Sequence, residues 1–183
     1  MANFFTRSQF RGFTENLSLQ ERTNIRKRAE ERSPSGTTFL SHSSKDQDIL
    51  PGVIRVLENH GATVYIDKKD SSLPPYTSKD TAAKLKNRIQ QSKKFVLLAT
   101  ENSKDSRWVP WELGVADGNK SFDNIAIFPV LEDTMNDSWT NWEYLGLYDH
   151  VAWRKFRGKE KEEWMVWDRR KNTASALAQW LAR

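Results

Sequence analysis

Two uninterrupted apolar runs of strand length, at 95–100 and 125–131, constrain the fold of this chain more than any other feature. Neither run alternates between polar and apolar residues, as a half-exposed strand would. Such runs are typical of parallel strands that helices cover on both faces. Two further strand patterns, at 37–41 and 62–67, are separated from these runs by amphipathic helical patterns. The alternation of strand and helix predicts a doubly wound α/β domain with a mainly parallel sheet.

Residues 1–36 are predicted to form an N-terminal basic helical extension. Within it, Ser18 and Glu21 have the spacing of a capping box, which predicts a helix from about 19 to 32. We expect this extension to pack its aromatic residues on the main domain. An oligomerisation arm is the alternative interpretation.

The main domain is predicted to span 37–183, with its core at 37–153. The last strand of the core is expected at 150–153, at the edge of the sheet. A basic segment and a closing helix follow over 154–183, and the helix is indicated by an amphipathic stripe of Ala174, Leu177, Ala178 and Leu181.

The positive charge of the chain is concentrated at its two ends. Formal charge is +3 over 1–36, −3 over 37–153 and +5 over 154–183. A nucleic-acid path should place positive charge in the folded centre, so nucleic-acid binding is a minority interpretation. No apolar run reaches the ~18–20 residues of a membrane span, and no signal peptide is recognisable, which predicts a soluble protein. The absence of cysteine excludes disulfides and thiolate chemistry and favours a cytoplasmic location.

Ligands of an open parallel sheet bind beyond the carboxyl ends of its strands. The predicted elements place three segments at that edge, namely 42–46, 67–76 and 101–112. No Gly-rich phosphate loop follows the first strand, which argues against an ordinary dinucleotide-oxidoreductase site and against a P-loop. The spacing of histidines and carboxylates predicts no metal site, and Asp46 and Asp48 are interpreted as helix caps.

Trp108 and Glu112 lie four residues apart at the predicted start of a helix that runs to about Gly118. Pro110 is compatible only with the first helical turn, and the spacing of four places Trp108 and Glu112 on one helical face. Glu112 is therefore expected near the positive end of the helix, which favours an ionised carboxylate. The pair could face a flat aromatic ligand, or it could serve helix stability and packing alone.

Four short strings, in this order and on these elements, give the chain a resemblance to bacterial Toll/interleukin-1 receptor (TIR) domains. The first box of that family resembles the string Phe39-Leu40-Ser41-His42-Ser43-Ser44-Lys45-Asp46. Val64-Tyr65-Ile66-Asp67 is similar to its second strand, Leu73-Pro74-Pro75 to its proline-bearing loop, and Phe128-Pro129-Val130 to its fourth strand. The resemblance implies the flavodoxin-like TIR fold.

Family members that consume NAD carry a glutamate four residues after a tryptophan at the start of the third helix, as Trp108 and Glu112 do here. The resemblance therefore implies an NAD⁺ glycohydrolase or cyclase with Glu112 as its catalytic residue. By the same mapping, His42 and Ser43 would line the pocket, Tyr65 and Asp67 would flank it, and Trp108 would stack on a ring of the substrate. NAD⁺ would be the substrate, with no further cofactor.

The chain also resembles the TIR component of Thoeris-like anti-phage systems. That resemblance implies a separate effector protein that reads a nucleotide product, which would be linear or cyclic ADP-ribose, and self-association through the TIR domain. The alternative is a non-catalytic scaffold that binds other TIR domains through the loop 68–76. A third interpretation is a nucleic-acid binder that uses the basic ends and binds in a salt-sensitive way.

Overall fold

The computed structural model describes residues 4–67, 78–132 and 143–183, which form an α/β fold around one sheet. The strands are β1 (Phe5–Thr6), β2 (Thr38–Ser41), β3 (Val64–Tyr65), β4 (Lys94–Ala99), β5 (Ile125–Leu131), β6 (Asp149–Lys155), β7 (Glu162–Asp168) and β8 (Thr173–Ala176). The α-helices are α1 (Arg7–Glu15), α2 (Leu19–Glu31), α3 (Leu50–Asn59), α4 (Lys79–Gln91), α5 (Glu101–Lys104), α6 (Trp108–Asp117) and α7 (Leu177–Ala182).

The centre of the sheet is parallel and has the strand order β3-β2-β4-β5-β6. This is the flavodoxin-like order, so the predicted fold class is confirmed. The apolar runs that predicted it are β4 and β5, which pair along five residues from Phe95–Ile125 to Ala99–Pro129. Beyond β6 the sheet continues with the antiparallel strands β7 and β8, and β1 pairs in parallel with the carboxyl end of β5.

Two apolar clusters lie on opposite faces of the sheet because successive strand residues point to opposite sides. We call the face under α1, α2, α3 and α7 the N-terminal face, and its cluster includes Phe10, Ile25, Leu40, Ile54, Phe128, Trp164 and Leu177. We call the face under α4 and α6 the site face, and its cluster includes Phe39, Tyr65, Leu85, Phe95, Val109, Leu113 and Tyr148. Every residue of β2 and β4 is buried, which is the pattern expected of strands covered on both sides.

The described part of the N-terminal extension, residues 4–36, packs into the N-terminal face, and we call it the N-terminal segment. The capping box of Ser18 and Glu21 is present, and the helix that it predicted begins at Leu19. A preceding helix, α1, begins after Thr6 with a capping box of its own. Helix α1 lies so close to α3 that a Cβ atom on Gly52 would be 2.9 Å from the hydroxyl oxygen of Thr14. The segment is therefore held by close packing.

Three local predictions were wrong. The strand predicted at 150–153 is not an edge strand, because β6 lies between β5 and β7. The closing helix begins only at Leu177, because residues 173–176 form β8. The exit loop predicted at 101–105 contains the short helix α5.

The proline-bearing loop with Leu73-Pro74-Pro75, which the scaffold alternative would use, lies outside the described residues. Within the described parts of the chain, no helix is both long enough and apolar enough to cross a bilayer.

Candidate active site

The carboxyl ends of β2 and β4 form the switch point of the parallel sheet, where the strand order reverses. Open α/β sheets bind their ligands in the crevice at this point. Residues 42–49 leave β2 there, and α5 and α6 follow β4 at the same edge. The structure thus places two of the three segments predicted for the ligand edge side by side.

Glu112 is fully buried on the face of α6 that packs against the sheet. The other buried residues of this helix are Val109, Leu113 and Ala116, so the carboxylate interrupts an apolar stripe. Its Oε2 atom accepts a short hydrogen bond from the hydroxyl of Ser41, the last residue of β2. Glu112 is therefore oriented toward the switch point, next to the turn that begins at His42.

The predicted stabilisation of Glu112 by the start of the helix was wrong. Helix α6 begins at Trp108, so Glu112 is its fifth residue, and the first turn holds no acidic side chain. The helix dipole acts mainly within the first turn. The hydroxyl of Ser41 donates a hydrogen bond to this carboxylate.

A carboxylate at this position has lost its contact with water. Moving a charged group out of water is expensive unless hydrogen bonds and nearby charges compensate for the lost solvation. An apolar side chain at position 112 would complete the stripe of α6 at no such cost. Groups that disfavour stability in this way concentrate at functional sites.

Trp108 is half-buried at the start of α6 and packs against the site-face cluster, which also contains Tyr65. Its ring meets that of Trp111 edge-on, with ring centroids 5.3 Å apart. Trp111 is 37% exposed, so this aromatic pair extends from the cluster to solvent. The arrangement offers a flat apolar surface on the same helix as Glu112.

Tyr65 and Asp67 lie at the end of β3, the strand next to β2. The Tyr65 hydroxyl donates to Asp67 Oδ1 at 3.1 Å, and Arg88 of α4 forms an ion pair with the same oxygen. Burial, together with the charge of Asp67, raises the pKa of Tyr65 to about 12. Tyr65 therefore stays protonated at neutral pH and holds the Asp67 carboxylate in place.

His42 and Ser43 directly follow β2, and both are buried. His42 Nδ1 lies 3.3 Å from the carbonyl oxygen of Leu40. The carbonyl of Ser43 accepts from the backbone N–H of Asp46 at 3.1 Å, and its hydroxyl accepts from the N–H of Lys45 at 3.3 Å. These bonds close a tight turn beside Ser41, which donates to Glu112.

Asp46 is the residue at this edge whose role was missed. The prediction that Asp46 and Asp48 cap the following helix was wrong, because α3 begins after Ile49 and has no side-chain cap. The buried Asp46 carboxylate instead accepts hydrogen bonds from Thr100, Asn102 and Arg7. Its partners lie 39 to 56 residues away, so no local spacing could have indicated them.

No cluster of three or more histidine, aspartate or glutamate side chains that could hold a metal ion occurs in the described ranges 4–67, 78–132 and 143–183.

Comparison with known proteins was consistent with this geometry. The TIR domain family matches residues 38–167. One relative, named "Probable 3′ cyclic ADP-D-ribose synthase ThsB′", from Bacillus cereus (strain MSX-D12), is 40% identical over 131 residues, which cover 70% of this chain and 66% of that protein. Another, "Putative cyclic ADP-D-ribose synthase TIR2" of Cytobacillus dafuensis, is 36% identical over 78 residues, which cover 41% of this chain and 21% of that protein.

The chain thus spans just under two thirds of the first relative and about a fifth of the second. The family match covers more than half of the chain, and it runs from the start of β2 to the penultimate residue of β7, with the switch point between β2 and β4 inside it. The resemblance inferred from the four short strings is confirmed. This chain belongs to the TIR domain family.

Proposed function

We propose that this protein cleaves the bond between nicotinamide and ribose in NAD⁺ and produces a cyclic ADP-ribose or ADP-ribose. The observation that carries the proposal is Glu112, a carboxylate buried in an apolar helix stripe and hydrogen-bonded to Ser41 at the switch point of the sheet. The names of the two relatives, both cyclic ADP-D-ribose synthases, support the same class of reaction.

The chemistry suits a single carboxylate. When the bond between ribose C1′ and the pyridinium nitrogen breaks, its electron pair leaves with nicotinamide, which becomes neutral. The leaving group therefore needs no proton, and the developing charge is a cation on the ribose. An ionised Glu112 close to the sugar would stabilise that cation, and a water-poor site strengthens the attraction.

The product depends on the nucleophile that attacks C1′. Water would give ADP-ribose, whereas a hydroxyl or ring nitrogen of the same nucleotide would give a cyclic product, and either route releases one proton. We propose the cyclic route as the main one, because both relatives are named for it. A water-poor site would also favour it by keeping water from the cation.

The other predicted site residues have roles in the same proposal. The ring of Trp108 would stack on a ring of the substrate, and the positive charge of the pyridinium would strengthen that contact. Tyr65 and the Asp67 carboxylate that it binds would flank the ribose, and His42 and Ser43 would line the pocket. Because Glu112 has no exposed surface, NAD⁺ must displace the groups that cover it.

We propose that self-association promotes this opening, and that a separate effector protein reads the nucleotide product in anti-phage defence. A cytoplasmic location belongs to the same proposal. The non-catalytic scaffold is the competing function, and the activity of the purified protein separates the two.

The test is to incubate the purified protein with NAD⁺ over a wide range of protein concentrations and to identify the nucleotide products by mass spectrometry. We expect nicotinamide release, and we expect Glu112→Gln to slow it by roughly 10²–10³-fold, the scale of losing one electrostatic contact to the transition state. Glu101→Gln is the matched control, because Glu101 is a partly exposed carboxylate of α5 at the same edge of the sheet.

The control variant should retain the wild-type rate. Equal rates for wild type and Glu112→Gln would refute a catalytic Glu112. Absence of nicotinamide release at every protein concentration would leave the scaffold as the better account.

A further inference from the structure

The Asp46 carboxylate connects the two loops that lead into the proposed site. Its Oδ2 atom accepts from the Thr100 hydroxyl at 2.8 Å, and its Oδ1 atom accepts from the Asn102 side-chain amide at 2.7 Å. Asp46 belongs to the loop after β2, whereas Thr100 and Asn102 belong to the segment after β4. Because Asp46 is fully buried, these hydrogen bonds are shielded from competing water.

Each of the two connected segments is continuous with one partner of the Ser41–Glu112 contact. Ser41 is the last residue of β2 and stands five positions before Asp46, and the segment with Thr100 continues through α5 into α6, which carries Glu112. The Ser103 hydroxyl donates to the carbonyl of Leu98 at 2.6 Å and fixes the start of that segment. A shift of Asp46 would therefore move Ser41 and Glu112 relative to each other.

Arg7 holds Asp46 from the other side. Its side chain is 6% exposed and directs three nitrogens to three carboxylates: Nη2 to Asp46 at 2.5 Å, Nη1 to Asp48 at 2.6 Å and Nε to Glu132 at 3.0 Å. Burial alone would lower the pKa of Arg7, but the hydrogen bonds to Asp48 and Asp46 outweigh it and the net shift is upward. Arg7 therefore forms ion pairs with carboxylates from the loop after β2 and from the residue that follows β5.

Arg7 lies in the N-terminal segment, before the part of the chain that matches the TIR domain family. Its planar guanidinium offers donors in several fixed directions, which the point charge of a lysine does not reproduce. Strand β1, directly before Arg7, pairs with Val130 and Leu131 and brings the side chain to the carboxyl edge. The N-terminal segment thus reaches the site through one buried cation.

We propose that Arg7 is a positioning residue for the proposed NAD⁺ cleavage, because it fixes Asp46 and thereby the two loops that align Ser41 with Glu112. The inference rests on the proposed function for its kinetic consequence and on the ion-pair geometry for its structural one. Two independent measurements therefore test it.

The kinetic test compares Arg7→Lys and Arg7→Met with Arg11→Met. Arg11 is the matched control, because it lies on the same helix and pairs with Asp48, but it is half-exposed and does not reach Asp46. We expect Arg7→Lys to lower kcat for NAD⁺ by about 10–100-fold, on the scale of a 1 Å misplacement, with KM within ~3-fold of wild type. Arg11→Met should retain the wild-type kcat.

A double-mutant cycle with Ser41→Ala separates positioning from a general loss of folded protein. If Arg7 acts by aligning Ser41 with Glu112, Arg7→Lys should cost less in the Ser41→Ala background, where that alignment is already lost. Additive effects, or a loss of kcat that follows only the folded fraction, would overturn the proposal.

Hydrogen–deuterium exchange tests the same inference without using activity. Arg7→Lys should raise amide exchange by at least several-fold in 41–48 and 100–105, and Arg11→Met should not. Unchanged exchange in Arg7→Lys would overturn the proposal even if the wild type cleaves NAD⁺. Failure of the wild type to cleave NAD⁺ would instead count against the proposed function, and exchange would still decide the role of Arg7. If Arg7→Met does not fold, Arg7→Lys and Asp46→Asn provide the same comparison.

Discussion

Helices α3 and α6 pack on opposite faces of the sheet and bury very different residues. Helix α3, on the N-terminal face, buries Leu50, Pro51, Gly52, Val53, Ile54 and Leu57, all of them apolar. Helix α6, on the site face, buries Val109, Leu113 and Ala116 but also Glu112. Helix α6 thus buries a carboxylate where α3 buries only apolar groups, which is the pattern expected where a functional group is kept at the expense of stability.

The site face also buries a histidine. His150 of β6 has no exposed surface, and its ring lies 6.2 Å from that of Phe4, which packs against the site-face cluster. Its neighbour Val151 points to the N-terminal face and belongs to the other cluster. Stability should therefore depend on pH through the site face and on packing volume through the N-terminal face.

The largest expected effect is on the N-terminal face. Phe10 is fully buried in contact with the rings of Phe5, Phe128 and Trp164. Phe10→Ala should lower the free energy of unfolding by about 3–5 kcal/mol, because it removes apolar burial and leaves a cavity. Denaturant unfolding measures the loss. The rate of the proposed NAD⁺ cleavage per folded molecule should fall far less than in Arg7→Lys, and an equal fall would contradict a distinction between packing and positioning.

The next effect is the pH dependence of stability through His150. Burial, together with Arg169, lowers the pKa of His150 to about 4, below the ~6.5 of the unfolded chain. The folded state therefore keeps the ring neutral while the unfolded state takes up a proton. Stability is fully present above pH 6.5 and falls between about pH 6.5 and 4, by at most about 1.4 kcal/mol per pH unit.

The measurement for His150 is the free energy of unfolding of wild type minus that of His150→Gln across this pH window. The difference cancels the contribution of groups that both proteins share. Curves that run parallel from pH 6.5 to 4 would show that His150 does not carry the dependence.

The smallest expected effect is a gain in the free energy of unfolding, whereas the two preceding effects are losses. The double variant Ser41→Ala with Glu112→Met should raise the free energy of unfolding by about 1–3 kcal/mol, because it replaces a buried carboxylate and a hydroxyl that binds it with apolar groups and completes the apolar stripe of α6. The same variant should abolish the proposed NAD⁺ cleavage. A loss of stability would mean that the site face gives up no stability for Glu112.

The sequence predicted best those parts of the fold that local patterns encode. The apolar runs identified β4 and β5, Ser18 and Glu21 located α2, and the Trp108–Glu112 pair located α6. The strand β7 escaped prediction because Glu162, Glu163 and Asp168 interrupt its apolar residues. The helical spacing of Ala174 and Leu177 likewise hid β8, where pairing with β7 overrides the helical pattern.

The candidate site was predictable only in part, because several of its contacts join residues that are distant in the sequence. Glu112 and the turn after β2 follow from position along the chain, given an α/β sheet. The Arg7–Asp46 ion pair and the Ser41–Glu112 hydrogen bond join residues 39 and 71 positions apart. Such contacts depend on which strands become neighbours, and no local spacing records them.

The parallel pairing of β1 with β5 has a consequence for synthesis of the chain. Phe5 and Thr6 are made before their partners Val130 and Leu131, which follow them by 125 positions. Closing so long a loop is slow, and β1 cannot pair before β5 has been synthesised. The nascent protein therefore completes this edge of the sheet only after β5 has been made, and a chain released before β5 would lack it.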